Sequence, residues 1–278
     1  MINRLIILLT LVGLSLGQSS FDILNAPTDA RDAALGISLN PTVKPARLIS
    51  NPEKSVTLSV WNWVADIQGA YIGISRENNH FSVQALHSGE LEYRNELPSE
   101  EPISTFEYTL FNLGAAHAHQ WDKVSLGLGA EIIYERTLNS SATGLSLNLA
   151  SSYALSNNLL LGGGLRHWGV TGKLDTENTT LPSEAWLSLD MDISSKASTM
   201  LEVNTGSFPL AIGMIYPILD GFEIMAGLQV EAFSEPSTIV HPSAGFTADW
   251  SSFTLGYSIY QIDHNLGPRH FITLYWNY

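Results

Sequence analysis

The side chains with chemical capacity in this chain are mostly carboxylates, and they fall at even spacings. Glu131 and Glu135, Asp190 and Asp192, and Glu223 and Glu231 all sit in runs that alternate apolar with polar residues. On an extended strand, even spacing places both members of a pair on one face. So placed, they could make a lumen that favours cations, pair with Arg136, Arg166 or Lys173, or simply stay hydrated. His117 and His119 also share a strand face, but no third ligand accompanies them, so no metal site is expected. The chain has no Cys, which excludes a disulfide scaffold, a thiolate metal site and a Cys nucleophile. After residue 17 it carries no Gly-x-Ser-x-Gly, Walker loop, His-Glu-x-x-His or EF-hand loop. The expectation is a protein that is not an enzyme and holds no cofactor. Trp61 and Trp63 lie opposite Val56, Leu58 and Val60; they either line an apolar pocket near a mouth or belong to an aromatic girdle.

The elements that carry these residues read as long strands. Val124, Leu126, Leu128, Ala130, Ile132 and Tyr134 alternate with Ser125, Gly127, Gly129 and Glu131. Ala185 to Ile193 alternates with Glu184, Ser188, Asp190 and Asp192, and Phe222 to Ala232 with Glu223, Gly227, Gln229 and Glu231. The chain ends the same way, with Ile272, Leu274, Trp276 and Tyr278 on one face. Such runs have one apolar and one polar face, and helical spacing fits none of them. Only the stretch from Thr105 to His119 changes its apolar face midway, which predicts a bulge or a register error there. Short breaks near Glu77–Asn79, Gln120–Asp122, Ser156–Asn158, Ser194–Lys196, Leu219–Gly221 and Ser251–Ser252 alternate with generally longer, more polar ones. The count is about fourteen strands with short turns on one side, the habit of outer-membrane barrels.

The charge balance is 13 Lys+Arg against 27 Asp+Glu, net −14, so no basic surface exists to bind nucleic acid. Charged residues make up only 14%, against roughly 25% in ordinary soluble domains. A polar face of Gly, Ser and carboxylates cannot meet hydrocarbon cheaply, so it must face a lumen and the apolar face must meet lipid. Tyr134, Tyr153, Trp250, Trp276 and Tyr278 fall near strand ends, as in an interfacial girdle. A soluble β-sandwich with the apolar faces inside is the competing architecture, but its strands are nearer ~5–6 residues. On the barrel reading Leu128 meets lipid and Gly129 meets the lumen. Leu128→Arg is then costly, and Gly129→Ser is mild unless the lumen is packed there.

Residues 1–17 read as a signal peptide: Arg4, an apolar run from Leu5 to Leu16, and Ser15 and Gly17 at the small-residue positions. Cleavage is expected between Gly17 and Gln18. Residues 18–54 form a separate N-terminal segment, and 55–278 the barrel. In the segment, Asn25 is the expected cap of a short helix with Pro27 in its first turn and Gly36 at its end. Pro41, Pro45 and Pro52 are expected to keep the rest extended. The helix is too short to stand alone, so it should pack in a barrel mouth as a plug.

Phe21 and Leu24, then Ala30-Arg31-Asp32-Ala33-Ala34-Leu35-Gly36, then Asn51-Pro52, resemble the opening of the PorV/PorQ-like outer-membrane barrels. Leu266-Gly267-Pro268-Arg269-His270-Phe271-Ile272-Thr273-Leu274 is similar to that family's close. Glu53 stands where the family usually has Ala, and Ile37 follows Gly36 where a second Gly is common. The resemblance implies an all-β, transmembrane antiparallel barrel of fourteen strands, of the fatty-acid-transporter type, in a bacterial outer membrane. It also implies work in protein secretion or surface attachment, with exported proteins or secretion components as partners besides membrane lipid. The alternative is a channel for small hydrophobic solutes, read from the barrel type, the plug and the inward aromatics.

Overall fold

The computed structural model describes residues 21–50, 54–62, 67–93, 103–137, 140–174, 177–194, 197–231, 239–261 and 267–278. The expected signal peptide and cleavage site, Trp63, and Asn51, Pro52 and Glu53 lie outside those residues. The strands in chain order are β1 (Ser55–Asn62), β2 (Ile67–Arg76), β3 (Asn79–Ser88), β4 (Leu91–Tyr93), β5 (Ser104–Phe106) and β6 (Thr109–Trp121). Then come β7 (Val124–Thr137), β8 (Ser140–Ser156), β9 (Leu159–Thr171), β10 (Lys173–Leu174), β11 (Glu177–Asn178) and β12 (Glu184–Ser194). The last six are β13 (Ala197–Asn204), β14 (Leu210–Leu219), β15 (Phe222–Val230), β16 (Val240–Trp250), β17 (Phe253–Tyr260) and β18 (Arg269–Asn277).

Fourteen of these strands close into one antiparallel barrel, and β4–β5 and β10–β11 form two small hairpins in the longer connections. Closure runs through β1 and β18, with Leu58 opposite Leu274 and Ser59 opposite Thr273. Full closure leaves no strand edge with unpaired backbone groups, which lipid could not satisfy. The two-residue connections after β2, β6, β8, β12, β14 and β16 fall together at one end, beside the C-terminal end of β18; the longer connections, and the short one between β7 and β8, fall at the other.

Alternation decides the two surfaces. Along β7, Ser125, Gly129, Glu131, Ile133 and Glu135 are buried while Leu126, Leu128, Ile132 and Tyr134 are exposed. The outer wall is a belt of exposed Leu, Ile, Val and aromatic side chains, among them Leu128 at 51% and Val170 at 69%. This is the surface of a barrel that spans a bilayer, since water would leave a patch of that extent unstable. Among the described residues no helix is long and apolar enough to cross a membrane; the strands do so.

Three local expectations are corrected. β6 keeps a single parity from Thr109 to Trp121, with no register shift against β3 or β7. The change of face arises because residues 104–106 belong to the separate hairpin strand β5. A bulge lies instead in β9: Leu147 opposes Trp168 but Leu149 opposes Leu165, and His167 takes φ 54°. That extra residue turns both Arg166 and His167 into the lumen, where both are buried. The helix α1 (Ala30–Leu35) is capped by Asp29, not Asn25: the Asp29 side chain accepts from the amides of Arg31 and Asp32. Gly36 ends it at φ 64°, as expected. The stretch after it is not extended but turns at Asn40–Lys44 and forms a one-turn helix α2 (Arg47–Ser50).

Candidate functional site

The segment 21–50 lies inside the barrel, touching opposite walls. Helix α1 packs on β14 to β18, and α2 on β6. The wall is cut away to receive it. A Cβ at Gly213 or Gly227 would run into Leu35, at Gly245 into Ala34, and at Gly256 into Ala30. These glycines stand on four consecutive strands and form a trough for α1. Across the lumen, Gly114 and Gly129 give way to Thr42, and Gly127 to Pro45 and Ala46. Close backbone approach at these points requires Gly. The lumen is therefore packed at Gly129, and the mild outcome expected for Gly129→Ser does not apply.

Polar bonds tie the segment to the wall. The Ala30 amide donates to Thr273 Oγ1 at 2.9 Å, Ser243 Oγ to the Ala34 carbonyl at 2.9 Å, and Asn148 Nδ2 to the Thr42 carbonyl at 3.0 Å. Each cation of the segment also finds a strand carboxylate. Arg31 meets Glu223 at 3.5 Å, Arg47 meets Asp190 at 2.6 Å, and Lys44 meets Glu202. Arg166 bridges Glu202 at 3.1 Å and Glu184, whose other oxygen accepts from Asn25 at 2.9 Å. Lys44 is fully buried and also lies 4.8 Å over the Trp186 ring. Burial pulls the Lys44 ammonium down to about 8, with the Glu202 carboxylate opposing that fall. Burial and the adjacent Asp29 push Asp32 up to about 8. Asp32 is held by Thr28 Oγ1 at 3.0 Å and by the Leu39 amide at 2.7 Å, which fixes the turn after α1.

The carboxylates singled out in the sequence are placed as follows. Glu131 is buried and accepts from Asn112 at 2.8 Å, Asn148 at 2.8 Å and Ser146 at 3.2 Å, with His167 Nδ1 3.2 Å away. Glu135 is buried. Asp190 and Glu223 hold segment cations, and Glu231 pairs with His241 at 3.0 Å. Asp192 is exposed near the short-turn end, beside Ser198 and Glu223. Trp61 is buried and stacked on Phe271 at 5.6 Å. Of the expected partners Arg136, Arg166 and Lys173, Arg166 enters this network. Glu184, Glu202, Lys44 and His167 belong to the same interior and were not selected by sequence reasoning. The parity of Glu202 between Leu201 and Val203 was the available signal. Among the described residues, no cluster of three or more metal-ligating side chains occurs.

The inner wall changes character along the axis. At the short-turn end lies a polar cavity of about 400 Å³, lined among others by Asp29, Asn40, Tyr71, His80, Thr254 and Tyr275. Toward the long-loop end Trp61, Leu86, Leu110, Ile133 and Phe271 join Phe21 and Leu24 in one buried apolar cluster, and the buried Glu135, Glu184, His241 and Arg269 lie toward the same end.

A closed fourteen-strand barrel with an N-terminal segment folded into its lumen defines the class of protein. Solved structures that share the fold include a hydrocarbon channel, a toluene transporter and a FadL homologue. The monoaromatic hydrocarbon channel CymD matches at TM-score 0.63 and 10% identity, over 94% of this chain and 99% of its own. The Pseudomonas putida toluene transporter TodX matches at 0.61 and 11%, over 89% and 96%. A Pseudomonas aeruginosa FadL homologue matches at 0.54 and 10%, over 90% and 98%. At such identities the likeness is one of fold. No protein-family model matches the sequence, and no curated protein matches it significantly.

Proposed function

We propose that this protein is an outer-membrane channel for small hydrophobic solutes, made as a precursor whose first 17 residues are removed on export. The observation that carries the reading is the pairing of a buried apolar cluster on the inner wall toward the long-loop end with a folded segment that occupies the lumen. A water-filled porin has no use for buried Trp, Leu and Phe on its inner wall, whereas a hydrophobic solute needs such a surface to leave water. The fold shared with hydrocarbon channels over nearly the whole chain supports the same reading. The segment is the plug of this channel, and the luminal carboxylates serve to hold it rather than to attract cations. Uptake tests the proposal: cells expressing the protein should accumulate labelled toluene or a medium-chain fatty acid faster than cells expressing a variant lacking β18. Equal uptake in both would reject it.

A PorV/PorQ-like role in protein secretion or docking rests on the resemblance at the two ends of the chain. The Ala30–Gly36 motif is spent inside the barrel on α1, where it faces the glycine trough and is not presented to a partner. Isolation of the barrel with bound exported protein, and without effect on solute uptake, would favour that role.

A further inference from the structure

We propose that Arg76, Asn79, His117 and His119 form a binding site on the outer wall for the headgroup of an anionic phospholipid in the periplasmic leaflet. The inference goes beyond solute passage and takes from the proposed function only the outer-membrane setting, in which short turns face the periplasm. Arg76 ends β2 and Asn79 begins β3. Arg76 opposes Asn79 across their shared turn, and Asn79 opposes His117 of β6, so the three stand side by side on adjacent strands. His119 follows two residues along β6 toward its own short turn, and its ring meets Trp121 edge-on at 4.2 Å. All four are exposed and share the parity of the lipid-facing Ile74, Phe81 and Ala115. The even spacing of His117 and His119, which in sequence marked a shared strand face, places both on the outside of the wall.

The chemistry of this row selects an anion. Arg76 makes no ion pair among the described residues. His117 Nδ1 lies 3.0 Å from Asn79 Oδ1, which holds the ring and leaves Nε2 for a phosphate oxygen. Among the described residues no outward position of β2, β3, β6 or β7 holds Asp or Glu, although the chain has 27 of them against 13 Lys+Arg. The acids next in sequence, Glu77 and Asp122, are turn residues beyond the strand ends. A second observation brings headgroups to this depth. Three outward apolar side chains lie between Gln68 and Arg76 on β2, three between Asn79 and His87 on β3, and three between Thr109 and His117 on β6, whereas β7 carries six from Val124 to Tyr134. The eight residue steps from Gln68 to Arg76, at ~3.4 Å each and a tilt of ~40°, span about 21 Å, against about 25 Å for the apolar band of such barrels. Over this sector the bilayer thins, which draws phosphates to Arg76 and the two histidines.

The test uses the full-length barrel in detergent and native mass spectrometry. Dioleoylphosphatidylglycerol is the anionic probe and dioleoylphosphatidylcholine the neutral one. The wild type should retain one phosphatidylglycerol about tenfold more tightly than phosphatidylcholine. Arg76→Gln should weaken phosphatidylglycerol about fivefold, the ratio one cation at the membrane surface carries, and leave phosphatidylcholine unchanged. Adding His117→Gln and His119→Gln should erase the preference. Arg136→Gln, an exposed position toward the opposite end of the wall, should keep it. Should the triple variant fail to assemble, Arg76→Gln alone decides, beside Arg76→Lys, which keeps the charge and should keep most of the preference. Equal affinity of the wild type for the two lipids overturns the inference, as does a preference that survives the loss of Arg76 or falls equally with Arg136→Gln. Solute uptake is read separately, so the channel reading stands or falls on its own.

Discussion

Replacing Glu202 with Gln should loosen the luminal segment while leaving the barrel wall intact. Glu202 is 2% exposed and accepts from both Lys44 and Arg166. Arg166 keeps Glu184 when Glu202 is neutralised, but Lys44 loses its carboxylate. What remains for Lys44 is the Trp186 ring at 4.8 Å, with Arg166 and Arg47 as like charges nearby. Leaving one buried charge uncompensated costs about 3–5 kcal/mol. The closed wall cannot yield to that strain without breaking strand hydrogen bonds in lipid, so the segment must yield, carrying Lys44 to water. At about 1.4 kcal/mol per tenfold, the released population rises about a hundredfold to a few thousandfold. Trypsin reads this directly, because cleavage after Arg47 requires α2 to leave the wall, while Lys44 is followed by Pro45 and is a poor site. Conductance across a planar bilayer should rise in parallel. Lys44→Met added to Glu202→Gln removes the stranded charge and should restore most of the protection. A Glu202→Gln barrel as resistant at Arg47 and as silent in conductance as the wild type would show that the ion pairs do not anchor the segment.

Four further outcomes are expected. Leu128→Arg places a charge on the lipid face and should cost about 2–4 kcal/mol near the bilayer midplane, read by urea unfolding in micelles. Gly129→Ala should leave the wall stable yet expose Arg47 to trypsin, since its Cβ meets the Thr42 carbonyl; equal behaviour of the two variants would refute the assignment of faces. Leu58→Cys with Leu274→Cys should cross-link on oxidation, because the two positions are paired across the closing seam, and failure to cross-link would open the barrel there. Protection of the segment should fall as pH rises from about 4 to about 8: Asp32 is raised from 3.8 to about 8, so the folded state holds a proton that the released state gives up, and its contribution is full below 3.8 and lost through 8. Asp32→Asn should flatten that trend, whereas Lys44, lowered from 10.5 to about 8, acts oppositely and only between those two values. Finally, the intact mass of the membrane-extracted protein should correspond to a chain beginning at Gln18; retention of Met1–Gly17 would reject the signal-peptide reading.

The all-β class, the number of strands and the two faces of the wall were legible in the sequence for a local reason. Side chains on a strand alternate with period 2, and a bilayer demands an unbroken apolar face, so Leu128, Leu187 and Leu228 announce their side wherever the strand later sits. Turn residues such as Asp122, Gly221 and Ser251 mark where the chain must reverse, and each takes positive φ there. The even spacing of Glu131 from Glu135 and of Asp190 from Asp192, each out of phase with its apolar neighbours, was likewise enough to separate them from the lipid-facing residues.

What alternation cannot encode is which residues meet across the lumen, and there the tertiary structure decided. Lys44 finds Glu202, Arg47 finds Asp190 and Arg31 finds Glu223 because a segment with no periodic pattern is folded between walls that sequence spacing leaves unrelated. The β9 bulge turns Arg166 and His167 to the same side, a break of parity with no punctuating Gly or Pro at that position. The cap moves from Asn25 to Asp29 because Asn25 is drawn to Glu184 in the wall. Gly129 and Gly227 read in sequence as small residues of the polar face; only the three-dimensional packing shows each as a place where Thr42 or Leu35 needs the space of a missing Cβ. Period and hydropathy are properties of a strand alone, whereas the filling of a closed barrel depends on shapes and charges brought together from distant parts of the chain.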